Sequence, residues 1–319
     1  MSSPVCYKIT TENSTGIMFV LQGLNETMSN KRTYFVVTLL VYIFTILANL
    51  TLIVTIIFEK TFHEPMFIFL CGLCVNGIFG ASSFSPKILM DLSSKLSVTS
   101  YEGCLTQMFV IYNYVFCEVT ILTVMAYDRY IAICKPLSYH SIITPRKVVN
   151  LLLITCLLSI CESGIAMCLV GRLPLCGFSI DKIYCTVWAV VKLSCVDTTI
   201  NNIYGSAFMG LHFLQILLIL ISYVNIVKAS MRSQEDRNKF MQTCLPHLIS
   251  LTNFTIAVIF DMMYARYGPT SRLLGLRNFM SLAHLAVPPL LNPLIYGLKL
   301  KQIRRRIFRI FIQEKHALK

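Results

Sequence analysis

Apolar side chains run through this chain in long unbroken stretches, without the alternating or one-faced patterns of a water-soluble fold. Windows of about 20 apolar residues, the length that crosses bilayer hydrocarbon as a helix, occur seven times. They cover Tyr34–Phe58, Pro65–Leu89, Tyr101–Cys134, Val148–Val170, Asn201–Val227, Thr243–Tyr264 and Leu273–Leu298. The pattern predicts an all-α membrane protein, a seven-transmembrane helix bundle forming one domain over residues 1–319. The third and fifth windows exceed the bilayer's need, which permits tilt or extension beyond it. After the last span, Ile303, Ile307, Ile310 and Phe311 recur at helical spacing beside Arg304, Arg305 and Arg309. Lys301–Ile312 therefore reads as a short amphipathic C-terminal helix lying on lipid, with a solvated basic tail as the alternative.

Composition agrees with lipid as the solvent: 55% of the 319 residues are hydrophobic and 13% charged, too few to cover a water-facing surface. The cations set an orientation. Lys299, Lys301, Arg304, Arg305, Arg306 and Arg309 follow the last span, and Lys228, Arg232, Arg237 and Lys239 fill the loop after the fifth, which predicts that these faces are cytoplasmic. Lys31, Arg32, Arg172, Lys182, Lys192, Arg266 and Arg272 fall on the opposite side, so the asymmetry is incomplete. The tail 1–31 is then expected outside and the tail 299–319 inside. The sequons at Asn13 and Asn25 lie in the outer tail and predict glycosylation there, whereas those at Asn49 and Asn253 fall inside spans. Met1–Gly16 carries Lys8 and Glu12 and lacks the apolar core of a cleavable signal, so the first span is expected to direct its own insertion. A net charge of +13 does not imply nucleic acid, because the cations are spread over both faces and no soluble domain presents them. The tail cluster suits anionic lipid instead.

Cys104 at the outer start of the third span and Cys176, Cys185 and Cys195 in the long loop before the fifth share the outer side. In an oxidising compartment four cysteines allow three pairings, and spacing does not choose among them. Cys6 is also expected outside, as a free thiol or in an intermolecular link, while most of Cys71, Cys74, Cys117, Cys156, Cys161 and Cys244 are expected to be reduced packing residues. At the inner end of the third span, MAYDRYIAICKPLSYH (125–140) places Asp128 beside Arg129. The acid can hold the cation and release it as neighbouring helix ends move, which is how a switch would be built. An ordinary charged stop at the membrane border is the competing reading.

That stretch resembles the signature of odorant receptors, a branch of the rhodopsin-like G-protein-coupled receptors. FHEPMFIFL (62–70), SYVNIVKAS (222–230), KFMQTCLPHL (239–248) and PPLLNPLIYGLK (288–299) are similar to further motifs of that family, in the right order over most of the chain. The resemblance implies a receptor, not an enzyme, with no cofactor. Its implied partners are a small-molecule odorant, membrane lipid and a heterotrimeric G protein of the stimulatory olfactory type that raises cyclic AMP. The implied location is the plasma membrane, in the cilia of olfactory sensory neurons. It also implies the pairs Cys104–Cys185 and Cys176–Cys195, and assigns Asp128, Arg129, Tyr130, Tyr223, His247, Asn292 and Tyr296 to the inner switch. Glu118 matches an acidic position that odorant receptors share, and Asn49 and Asn292 are expected to complete a polar core with it. Such an acid is either a cation- or proton-sensitive group or a protonated packing element. One departure concerns the second span, where the family usually carries an Asp and LCVNGI places Gly77, preceded by Asn76. That loss is expected to weaken cation binding. Glu162 in the fourth span is assigned no role.

In receptors of this shape the ligand lies in the outer half of the bundle, beneath the second external loop. Stepping up the third span from Arg129 at helical spacing gives Met108, Ile111, Tyr112, Val115 and Phe116. The fifth and sixth spans offer Tyr204, Ala207, Phe208, Leu211, Thr255, Val258 and Met262. This set is a mostly apolar cage suited to recognition by shape and one or two polar contacts; for each aromatic, plain interhelical packing is an equal alternative. Arg266, one turn beyond Met262, is placed to meet an acidic ligand, or else to pair with Asp261 or Glu102 or to face water. A transporter would show paired repeats and broken helices, which the two halves of the chain lack. An intramembrane hydrolase would need a nucleophile with a base or a metal-ligand set, and His247 and His284 stand in different spans without such a pattern. A rhodopsin-like receptor for something other than odorants is the remaining rival.

Overall fold

The computed structural model describes residues 18–23, 28–231, 234–267 and 274–299. Within them the chain forms β1 (Met18–Leu21), α1 (Met28–Phe58), α2 (Pro65–Ser93), β2 (Val98–Ser100), α3 (Tyr101–Cys134), α4 (Tyr139–Ile142), α5 (Pro145–Gly171), β3 (Ser179–Ile180), α6 (Val187–Val191), α7 (Thr199–Ser230), α8 (Gln234–Tyr267) and α9 (Leu274–Lys299). The long helices α1, α2, α3, α5, α7, α8 and α9 are the seven crossings. Six of them contain a membrane-length apolar stretch, and α9 carries a shorter one, Leu285–Gly297. Helices outrun the apolar windows: α1 begins at Met28, inside the tail expected over 1–31, and α8 begins at Gln234. Asn13, Asn25, Cys6 and the amphipathic segment Lys301–Ile312 lie outside the described residues, as do the side chains of Met262 and Arg266.

Helix starts follow local chemistry. The Ser100 hydroxyl caps α3 by accepting from the Gly103 amide at 3.1 Å, and Thr144 caps α5 by accepting from the Lys147 amide at 3.3 Å. Pro65 and Pro145 stand at the first helical position, where no amide donor is needed. Within the bilayer every backbone group needs a partner, and hydroxyls turn back onto their own helix. Thr45 donates to Val41 O at 2.7 Å, Ser159 to Thr155 O at 2.9 Å and Ser163 to Ser159 O at 2.6 Å. A proline leaves the carbonyl four residues earlier without its amide donor. Pro293 does this to Pro289, and the Asn49 side chain on α1 donates to that carbonyl at 2.8 Å. A break in one helix is thus mended by an amide on another.

Lipid supplies no hydrophobic drive for helix association, so close contact and polar ties hold the bundle together. The centre is α3, whose Tyr114, Phe116, Ile121 and Leu122 are buried, while Leu40 and Leu47 of α1, Leu157 of α5 and Phe213 of α7 are about half exposed and face lipid. Gly80 lets α2 approach α3: a Cβ there would overlap the Tyr114 ring. A second, outer cluster gathers Phe19, Met108, Val170 and Ile180 around Cys104 and Cys185.

The hydrophobic pattern predicts helices alone, and the structure adds a small outer sheet of order β2-β1-β3. β1 runs antiparallel to β2, with Met18 opposite Ser100, and parallel to β3, with Val20 opposite Ser179. Cys104 and Cys185 are bonded with Cα atoms 5.5 Å apart, which ties the long loop to α3. Cys176 and Cys195 are bonded with Cα atoms 5.3 Å apart. Backbone bonds beside that bridge, Cys176 N to Leu193 O at 2.8 Å and Cys195 N to Pro174 O at 3.0 Å, fold the loop onto itself.

Candidate ligand cage and inner switch

Three adjoining cavities occupy the outer half between α3, α5, α7 and α8. One of about 110 Å³ is walled by Tyr112, Phe116, Tyr204 and Phe208, with Trp188 and Asp261. A smaller one of about 30 Å³ shares Tyr112 and Asp261 and adds Ile111, Val115 and Val258. The third, about 470 Å³, lies between α7 and α8 against Val115, Phe116, Thr255 and Val258. Residues four apart on α7 stack into one column: Tyr204 lies 6.2 Å from Phe208, and Phe208 lies 4.1 Å from His212, between ring centroids. Phe116 on α3 closes the column at 4.3 Å from Phe208 and 5.5 Å from His212. His212 is absent from the sequence-derived residues, although its spacing from Tyr204 and Phe208 is the signal that finds it. Its Nδ1 lies 2.7 Å from Gln215 Oε1, and its Nε2 lies 3.9 Å from Glu162 Oε2. Tyr204 donates to the Glu162 carbonyl at 2.8 Å, so the unassigned Glu162 belongs to this α5–α7 edge.

An ion pair roofs the cage. Lys182 Nζ in the external loop lies 2.9 Å from Asp261 Oδ1 on α8, with side chains only 6% and 12% exposed. The Tyr184 hydroxyl stands 3.5 Å from the other carboxylate oxygen. Asp261, offered above as a partner for Arg266, is thus engaged by Lys182.

Three expected positions differ. Met108 is fully buried in the outer disulfide cluster and lines none of the three cavities, because the Cys104–Cys185 bridge draws the loop over that turn of α3. Ala207 and Leu211 are exposed on the lipid side, since the inward face of α7 is the row Tyr204, Phe208 and His212. Asn49 does not reach Glu118. Its amide is spent on the Thr45 and Pro289 carbonyls, both at 2.8 Å.

Below the cage, the fully buried Glu118 accepts from two amides, Asn76 at 2.7 Å and Asn292 at 2.6 Å, and Asn76 also donates to Tyr114 O at 3.1 Å. Asn76 on α2 therefore fills the role expected of Asn49. Gly77 keeps the contact with α1 close, as a Cβ there would stand 3.1 Å from Asn49 Oδ1.

At the inner end, Arg129 Nε donates to Asp128 Oδ2 at 2.9 Å, and its Nη2 bonds the same oxygen. The Tyr139 hydroxyl donates to Asp128 Oδ1 at 2.8 Å. Burial first, then the Asp128 carboxylate, push the Tyr139 hydroxyl well above its ordinary pKa, which keeps it a donor. Tyr139 lies inside the MAYDRYIAICKPLSYH stretch, yet the sequence pattern assigns it no role. Tyr223 and His247 are hydrogen-bonded, hydroxyl to Nδ1, with rings stacked 5.6 Å apart. Tyr296 is buried in the same core, and Tyr130 packs against it half-buried.

An outer cavity, a buried polar knot and an inner ion pair strung along one helix are the layout of a seven-helix receptor. The fold agrees: the crystal structure of squid rhodopsin superposes with a TM-score of 0.73 over 90% of this chain and 82% of that one, at 17% identity. The "Olfactory receptor" family model matches residues 38–314. Human olfactory receptor 8I2 is 35% identical over 297 residues, covering 92% of this chain and 94% of that protein. Mouse olfactory receptor 10D1B is 34% identical over 296 residues, again covering 92% and 94%. The chain belongs to the olfactory receptor family, whose members are multi-pass membrane receptors and not enzymes.

Proposed function

We propose that this chain binds a small, largely apolar odorant in the cage of Tyr112, Phe116, Tyr204, Phe208, Thr255 and Val258. Occupation then opens the inner face to a heterotrimeric G protein of the stimulatory olfactory type, raising cyclic AMP. The observation that carries the reading is the continuity of α3, which contributes cage walls at Tyr112 and Phe116, the knot at Glu118 and the switch at Asp128 and Arg129. The odorant does no chemistry. It acts only through tighter binding to the active arrangement, because equal affinity for both states shifts nothing. Since Asp261 is paired with Lys182, the roof presents little net charge, and a neutral ligand suits it. The N-terminus lies outside, glycosylated at Asn13 and Asn25, the tail cations rest on anionic lipid, and the receptor works in the ciliary plasma membrane.

The test is cyclic AMP accumulation in transfected cells exposed to a broad odorant panel. An agonist should be found whose potency falls at least tenfold in Phe208→Ala at matched surface level. Solute uptake without any cyclic AMP response would sink the reading in favour of a transporter.

A further inference from the structure

A second chamber lies apart from the cage. It sits in the outer half between α1, α2 and α9, has a volume of about 430 Å³, and shares no described lining residue with the three cavities above. Lys31 Nζ donates to Ser94 O at 3.3 Å, and the Tyr42 and Ser82 hydroxyls lie 3.2 Å apart. These ties fix the antiparallel register of α1 and α2, with Tyr42 opposite Ser82 and Thr38, one turn farther out, near the level of Ser85. The chamber reaches from Tyr34 to Thr45, about 16 Å along α1. Gly23 and Ile183 close its outer end, while Tyr34 and Val37, 46% and 52% exposed, form a seam open to the bilayer.

Its walls restrict the chemistry of an occupant. Among the described lining residues there are hydroxyls but no carboxylate, amine, guanidinium or imidazole, so nothing there balances a charged headgroup. Ser85 is 3% exposed and lines the chamber, yet its hydroxyl makes no hydrogen bond with any described residue. Ser159 and Ser163, also buried in a helix, both return theirs to the preceding turn. The Ser85 hydroxyl is instead on the wall of the chamber, where an oxygen of an occupant can exchange a hydrogen bond with it. Phe84, Ile88, Ala286 and Val287 supply the apolar remainder.

We propose that this chamber binds a neutral, mostly hydrocarbon molecule bearing one hydroxyl or carbonyl, admitted from the bilayer beside α1 and hydrogen-bonded to Ser85. Two sources share that chemistry, a membrane sterol and a hydrophobic alcohol odorant dissolved in the bilayer. The inference is independent of the cage and of the G protein.

The test uses the full chain in phosphatidylcholine nanodiscs, photolabelled in parallel with diazirine derivatives of cholesterol, dodecanol and dodecane, with labelled peptides mapped by mass spectrometry. Cholesterol or dodecanol should label Tyr34–Thr45 and Ala81–Leu92 saturably, and dodecane only non-saturably. Ser85→Ala should weaken the saturable labelling about fivefold, the worth of one neutral hydrogen bond. Ala286→Phe, which fills the chamber, should remove it, and neither variant should change labelling at the lipid-facing Leu157. Labelling by cholesterol alone identifies a membrane sterol and labelling by dodecanol alone a dissolved odorant, and either upholds the site. Saturable labelling by dodecane equal to that by the alcohols, or no saturable labelling of these segments, overturns it. Both of these comparisons use the native chain, so they decide the matter even if a variant fails to fold.

Discussion

The Lys182–Asp261 pair makes a quantitative test of whether the external loop is welded to α8. Truncating one member of a buried pair typically costs about 3–5 kcal/mol, because the other charge is left buried and alone. Here the side chains are 6% and 12% exposed, and the Tyr184 hydroxyl stays 3.5 Å from Asp261. Lys182→Met and Asp261→Leu are each expected to cost about 2–4 kcal/mol. The double variant Lys182→Met/Asp261→Leu removes the desolvation penalty along with the attraction and should cost only about 0–2 kcal/mol. The coupling between the sites is then about 2 kcal/mol or more, against the 0–1 kcal/mol or so of an exposed pair. The assay is thermal unfolding of the purified receptor in detergent. At an unfolding entropy of about 2.1 cal/mol/K per residue, a 3 kcal/mol loss in 319 residues is a fall of about 4–5 °C. Single variants whose falls simply add in the double variant, to within about 1 °C, would refute the buried latch and leave a solvated surface pair.

Four further outcomes are expected. Arg129→Ala should abolish odorant-driven cyclic AMP at unchanged surface level, and Tyr139→Phe, by freeing one oxygen of Asp128, should raise basal cyclic AMP; full signalling by Arg129→Ala would leave a plain charged border. Cys104→Ser should lose about 2–5 kcal/mol of stability and be retained inside the cell, as read by surface immunostaining, whereas normal surface level and dose response would contradict the loop's anchoring role. Gly80→Val should cost about 1–3 kcal/mol by overpacking the Tyr114 ring, seen as a lowered melting temperature that Tyr114→Leu in the same chain partly restores.

The spans are legible in the sequence because lipid demands long apolar runs, and the motif at the end of α3 is legible because it is long. Other features leave no local trace. Strands as short as MFVL, VTS and SI contain too few residues to show a period, so the outer sheet is invisible to pattern. On α7 both the cage face and the lipid face are apolar, which is why sequence places Ala207 and Leu211 inward and passes over His212. The partner of Glu118 is misassigned for a related reason: Asn49 and Asn76 are chemically alike, and only the carbonyl freed by Pro293 decides which amide is already committed. Lys182 and Asp261 are far apart in sequence, and no spacing rule joins them.

The outer sheet also imposes a schedule on biogenesis. Its central strand, Met18–Leu21, is made first, and both of its neighbours arrive later, β2 just before α3 and β3 only after α5 has been threaded. At synthesis rates of about 5–20 residues per second, the roughly 160 residues between β1 and β3 keep the middle strand waiting for about 10–30 s. Cys104 waits as well, since its partner is 81 residues downstream. Once Cys104 has been made, β1 has β2 on one edge only, and an open strand edge and an unmatched thiol stand together on one side of the membrane until the long loop arrives to close both.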